Sequence, residues 1–123
     1  MSSLTESKLP PGYQWMSDRA LVGFEPHTQL QPWHYLPAEQ CFFATERWPG
    51  VSEKKLLAFA RRQDCDDLAC FIVDENGVVN GVALIHTWTP GGFELVAEFP
   101  DFWTWIKHVI DDIADWMSTS DVT

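Results

Sequence analysis

Two apolar runs flank a charged turn near the middle of the chain. Leu56, Leu57, Ala58, Phe59 and Ala60 form the first run, and Leu68 to Val73 form the second, apolar at every position. Short runs that do not alternate fit strands buried on both faces better than half-exposed strands. Between them lies Arg61-Arg62-Gln63-Asp64-Cys65-Asp66-Asp67, two cations followed by three carboxylates. Strand alternation sends Arg61 and Arg62 to opposite faces.

The pattern on either side predicts the other elements. Residues 1–9 read as a frayed end, closed by the breaker cluster Leu9-Pro10-Pro11-Gly12. Tyr13 to Gly23 suits a short helix, with Asp18 and Arg19 outward and Trp15, Leu21 and Val22 inward. Pro26, Pro32 and Pro37 deny a long helix between Phe24 and Leu36, and Gln29 to Leu36 suits a short edge strand or an extended arm. Ala38 to Trp48 predicts about three turns of helix carrying Cys41, Phe42 and Phe43, stopped by Pro49-Gly50.

After the two central strands, Asp74-Glu75-Asn76-Gly77 carries the Asn-Gly turn signal. Val78 to Trp88 follows as a third strand, with Val82, Leu84 and His86 on one face and Ala83 and Ile85 on the other. Thr89-Pro90-Gly91-Gly92 turns the chain into a fourth strand, Phe93 to Ala97. Pro100 and Asp101 suit the start of a helix. Phe102, Trp105, Ile106, Val109, Ile110, Ile113, Trp116 and Met117 then recur at three- and four-residue spacing, an amphipathic helix with Asp111, Asp112 and Asp115 on its wet side. Residues 118–123 read as a tail. The expected fold class is α+β: a single domain spanning 1–123, with a central, mostly antiparallel sheet and flanking helices that include the C-terminal amphipathic one.

Charge narrows the choice of partner. Eight Lys and Arg stand against 18 Asp and Glu, a net charge of −10. That argues against nucleic-acid binding, which needs cations to neutralise phosphates, and it favours encounter with a basic protein. The odd number of cysteines, Cys41, Cys65 and Cys70, with no Cys-x-x-Cys, fits reduced thiols in a cytosol. Met1 to Lys8 is polar with no apolar run after it, so neither a signal peptide nor a membrane span is expected. A cytoplasmic protein is the resulting expectation.

Catalytic chemistry finds little support in the residues. His27, His34, His86 and His108 stand at no i, i+4 spacing, and Cys65 and Cys70 lack a second pair, so no metal site is expected. No Gly-rich phosphate loop exists, and no cofactor is expected. Cys65 lies between Asp64 and Asp66, which disfavour a thiolate, and Cys70 lies inside an apolar strand. Asp64, Asp66 and Asp67 have polar neighbours and no sign of the desolvation that acid–base work requires. No catalytic residue is assigned, and an enzyme is not expected.

The aromatics point elsewhere. Trp15, Trp33, Tyr35, Trp48, Trp88, Phe93, Phe102, Trp103 and Trp105 exceed what a core of this size holds fully buried, and Trp and Tyr at a surface anchor interfaces. The expected partner-binding surface is Arg61, Arg62, Asp64, Asp66 and Asp67 together with Trp33, Tyr35 and Trp88. Two alternatives stand beside it. In one, the charged turn merely pairs internally to end the strands; in the other, Arg61 or Arg62 holds a ligand carboxylate or phosphate in a cleft.

The segment Leu57-x-Phe59-Ala60-Arg61-Arg62-Gln63-Asp64-x-Asp66-Asp67-Leu68-Ala69-Cys70-Phe71 resembles the signature of the SUKH superfamily, in its Smi/Knr-type branch. Ile85-His86, the turn Pro90-Gly91-Gly92, Phe102-Trp103-Thr104-Trp105, Leu30-Gln31-Pro32-Trp33 and Arg47-Trp48-Pro49 extend the likeness over about residues 30 to 117. The stretch before Leu30 matches little. The resemblance implies a sheet with flanking helices and a role as a cytoplasmic immunity protein that binds a bacterial toxin, often a nuclease. It also admits a regulatory or scaffolding adaptor. It carries over no catalytic residues, because the family acts by binding.

Overall fold

The computed structural model describes residues 9–24, 30, 32–63 and 65–119. In chain order the elements are α1 (Pro11–Asp18), β1 (Trp33–Tyr35), a 3₁₀ turn at Ala38–Gln40, β2 (Phe42–Phe43), α2 (Ala44–Arg47), β3 (Lys55–Arg62), β4 (Asp67–Val73), β5 (Val79–Thr89), β6 (Gly92–Phe99) and α3 (Phe102–Thr119). The strands form one antiparallel sheet in the order β1-β3-β4-β5-β6, with β2 also pairing β3. β3 to β6 are the expected meander, and the α+β class holds.

Leu56 to Ala60 are at most 1% exposed, so both faces of β3 are covered. On one face α1 and α3 supply Tyr13, Phe102 and Trp105 against Phe59 and Phe71. The other face lies under the stretch from the 3₁₀ turn to Trp48, where Phe42 pairs with Ala58 and Trp48 meets Phe93 edge-on.

A bulge in β3 sets which side chain faces which layer. Ala58 pairs with Cys70 and Ala60 with Ala69, so Phe59 is an extra residue on its strand. Leu57 and Phe59 face the helices; simple alternation would send Arg61 there too. The extra residue shifts the phase by one. Arg62, opposite Trp33, therefore faces α3, and Arg61, opposite His34 and Leu68, faces away from it.

Tertiary packing overrides several expectations. The helix expected from Ala38 to Trp48 breaks into the 3₁₀ turn, β2 and α2, because Phe42 and Phe43 extend to pair with Ala58 and Leu57. The front helix occupies Pro11–Asp18, with Pro11 in its first turn, and ends where Ala20 adopts φ 54°. Trp15 and Leu21, expected inward, are exposed; Trp15 packs edge-on against Trp103 and under the Arg19 guanidinium, while Val22 is buried as expected. The early edge strand is confined to Trp33–Tyr35. Gln29 and Gln31 lie outside the described residues, as do most of the ends expected to fray; Leu9 packs against the core and α3 runs to Thr119.

α3 starts as the sequence suggests. Asp101 Oδ1 accepts the backbone N–H of Thr104 and its hydroxyl, both at 2.8 Å. Those bonds, the backbone one foremost, hold the Asp101 carboxyl below the usual carboxylate range. Phe102, Trp105, Ile106 and Val109 are buried, whereas Ile110 is exposed and Trp103 stands off the stripe. β6 carries its own irregularity: Leu84 pairs with Ala97 and Ile85 with Leu95, which leaves Val96 as an extra residue on this edge strand. A bulge of this kind spoils the edge as a template for further pairing.

Candidate functional site

A groove of about 640 Å³ opens on the sheet face away from α1 and α3. One wall is the 3₁₀ turn, β2 and α2, which supply Glu39, Phe42 and Arg47, with Trp48 following them. The other wall is the end of the meander, with Arg61 from β3, Asp66 from the β3–β4 turn, and Thr87 and Trp88 from β5. A second cleft of about 470 Å³, which includes His34 and Phe24, shares Leu36, Gln40 and Arg61 with the first. Arg61 thus stands on the wall common to both.

Local geometry explains the two tryptophans. His86 pairs with Glu94 and Thr89 with Gly92, so two residues of β5 oppose one of β6. This bulge lifts Trp88 off the sheet, and it is 79% exposed. Trp48 lies over the β5–β6 turn because Gly92 permits it. Gly92 has φ 130°, and a Cβ there would sit 2.9 Å from Trp48 Cγ. On the α2 side, the Arg47 guanidinium stacks 3.7 Å from the Phe42 ring centroid and lies 5.8 Å from that of Trp48.

The structure brings together Arg61, Asp66 and Trp88 of the surface expected from sequence. Asp67 opens β4 opposite His86 of β5, with Oδ1 2.9 Å from Nδ1 of His86. Arg62 is turned to the opposite layer, where its Nη1 lies 3.4 Å from Oδ2 of Asp112. Asp64 lies outside the described residues. Trp33 and Tyr35 require a correction: they are 1% and 0% exposed and belong to the core. Trp33 meets Trp105 edge-on and donates from Nε1 to Asp112 Oδ2 at 3.0 Å. Tyr35 stacks on Tyr13 at 4.4 Å between centroids, and burial raises both phenols well above their ordinary pKa. The prolines around β1 do not make it a projecting arm, because its backbone pairs with Ala60 to Arg62.

Asp112 also departs from expectation. Its side chain is only 14% exposed, and Oδ2 serves Trp33, Arg62 and Nε2 of His108, the last at 3.3 Å. It is a bridge between α3 and the sheet. Glu39, Arg47 and Trp48 are among the groove residues that the sequence reading did not name as site candidates. Trp48 carried a signal as one of the surplus aromatics and Arg47-Trp48 as part of the family likeness, and the helix expected over Ala38 to Trp48 hid how Phe42 meets Arg47.

The cysteines behave as their settings dictate. Burial pushes the Cys70 thiol far up, and burial together with Glu39 pushes Cys41 up to about 11. Cys65 is exposed. A thiol reagent such as Ellman's is therefore expected to titrate Cys65 rapidly in the native protein, and Cys41 and Cys70 only after denaturation. Cys65→Ser should remove the fast phase; a fast phase that persists would place Cys41 or Cys70 within reach of solvent.

Among the described residues, no helix is long and apolar enough to cross a membrane. No protein family, no curated protein and no solved structure matches the chain.

Proposed function

We propose that this domain works by binding another protein, without catalysis of its own, and that it is a cytoplasmic immunity protein that neutralises a basic toxin. The observation that carries the binding reading is Trp88, an indole 79% exposed on the rim of a groove that also holds Asp66. Large exposed aromatics at the edge of a concavity are the residue type that dominates interface energies. The net charge of −10 supports a basic partner through steering and complementarity. The immunity role draws its support from the resemblance along Leu57 to Phe71. A regulatory adaptor is the rival, and the neighbouring gene separates the two: a toxin reading frame beside this one supports immunity.

Co-expression with that neighbour's product tests the reading, with rescue from toxicity as the outcome expected. Within a purified complex, Trp88→Ala is expected to weaken affinity about 30-fold, or about 2 kcal/mol. Thermal stability should not change, because the ring is exposed. Asp66→Lys/Asp67→Lys should reduce both the association rate and its dependence on salt. Unchanged affinity in all of these variants would move the interface to another face. A second reading, a ligand-binding domain, is favoured by one feature, the cleft on either side of Arg61.

A further inference from the structure

We propose that the groove between α2 and the C-terminal ends of β3 and β5 binds a small molecule that carries an aromatic ring and a single carboxylate. The inference does not depend on the partner reading. It starts from a shortage of cations: the chain has eight Lys and Arg for 18 Asp and Glu. Lys54 and Arg62 are used in ion pairs with Glu98 and Asp112. Arg47 and Arg61 both line this groove, and neither makes an ion pair with a described carboxylate. Two guanidiniums that face one groove without a described carboxylate paired to either, in so acidic a chain, are what a site for an incoming anion requires.

The two arginines are placed differently. Arg47 has one guanidinium face against Phe42, which fixes its plane and leaves its N–H edge for an acceptor. Arg61 stands at the junction of the two clefts. Guanidinium N–H pairs match the two oxygens of a carboxylate in a bidentate fork. The ring requirement comes from the walls. Trp48 is held edge-on by Phe42 and Phe93, and Trp88 offers an open ring on the facing wall. A planar group between them gains stacking and apolar burial.

Glu39 and Asp66 line the same groove and set the charge limit. They repel a second negative charge, so a phosphate ester, with about −1.5 to −2 at neutral pH, is disfavoured against a monoanion. They also accept hydrogen bonds from an N–H or O–H on the ligand. The volume of about 640 Å³ falls in the range of small-molecule sites.

Amide and side-chain NMR of the isolated domain tests this with three probes: indole-3-acetate, its neutral analogue indole-3-acetamide, and adenosine monophosphate. The acid is expected to give saturable shifts at the Trp48 and Trp88 indole N–H and the Arg47 and Arg61 Nε–H signals, with a Kd of about 1 mM or tighter. Arg61→Gln and Arg47→Gln should each weaken it about tenfold, in proteins whose dispersed spectra show them folded. Three results would overturn the proposal: no saturable shift, equal binding of the amide, or a preference for the phosphate ester. Shifts that saturate but map outside the groove would overturn it as well. Each of these outcomes is independent of whether the domain rescues cells from a toxin.

Discussion

Phe59→Ala is expected to destabilise the domain by about 3–5 kcal/mol, a large share of the roughly 5–15 kcal/mol that keeps a domain of this kind folded. Phe59 is 0% exposed and stands at the centre of the aromatic cluster between the sheet and α1 and α3. It stacks on Phe71 at 3.9 Å between centroids with the planes 5° apart. It meets Tyr13, Tyr35 and Trp105 edge-on at 5.8, 6.1 and 5.1 Å, and Phe102 at a tilt. Removing the ring leaves a cavity bounded by large, mutually wedged rings on a sheet and two helices, and rings held in this way cannot collapse into it. Phe59→Leu fills part of the volume and should cost roughly half as much. Equilibrium denaturation in urea measures both. A loss below about 1 kcal/mol for the alanine variant would mean that the bulge relaxes and lets β3 refill the space.

The same residue shows why part of this fold could be read from sequence and part could not. The two apolar runs, the Asn76-Gly77 turn and the stripe from Phe102 to Val109 are periodic or local signals, and each became the element expected. The bulge at Phe59 has no such signal. A strand of buried residues reads the same with or without an extra member, so the phase at Arg61 and Arg62 is set by which pairing fits the layers above and below. The bulge that exposes Trp88 is hidden for the same reason: alternation from His86 predicts a ring lying on the sheet, and the extra residue lifts it away. Trp33 and Tyr35 were misjudged because Pro32 and Pro37 suggest a detached arm, whereas the hydrogen bonds of β1 to β3 place both rings under the helices. Asp112 looked wet by helical spacing alone. Its neighbours in space come from 79 residues earlier at Trp33, a separation that no local pattern reports. Arg61, Asp66 and Trp88 could be grouped from sequence because charge at a strand end and an aromatic near a turn are visible in one dimension, and the structure places the three along one groove. Glu39, Arg47 and Trp48 complete the groove only through the β2–β3 pairing.

Asp112→Ala is expected to cost about 2–4 kcal/mol, far above the few tenths typical of a helix-surface carboxylate. The carboxylate is 14% exposed, and its Oδ2 accepts from Trp33 Nε1 at 3.0 Å while Arg62 Nη1 and His108 Nε2 lie 3.4 and 3.3 Å away. Its removal leaves the buried Trp33 indole N–H and the largely covered Arg62 guanidinium without this acceptor, and the loss of a partner for a desolvated group is the costly case. Asp112→Asn keeps an acceptor for Trp33 but removes the charge that faces Arg62, so it should fall between alanine and wild type. Trp33→Phe removes the N–H donor together with part of a buried ring that packs on Trp105, and is expected to cost about 2–3 kcal/mol. A double-mutant cycle between the two positions should return a coupling of about 0.5–1.5 kcal/mol, and a coupling near zero would show that the 3.0 Å bond contributes nothing to stability. The consequence reaches the other side of the sheet. Arg62 and Arg61 are consecutive on β3, and the ion pair that holds one against α3 helps to fix the strand end from which the other enters the groove. Asp112→Asn, in protein that remains folded, is therefore expected to shift the NMR signals of Arg61 even though the two side chains lie on opposite faces. Signals that stay in place would show that the β3 end is held by its pairing with β1 and β4 alone.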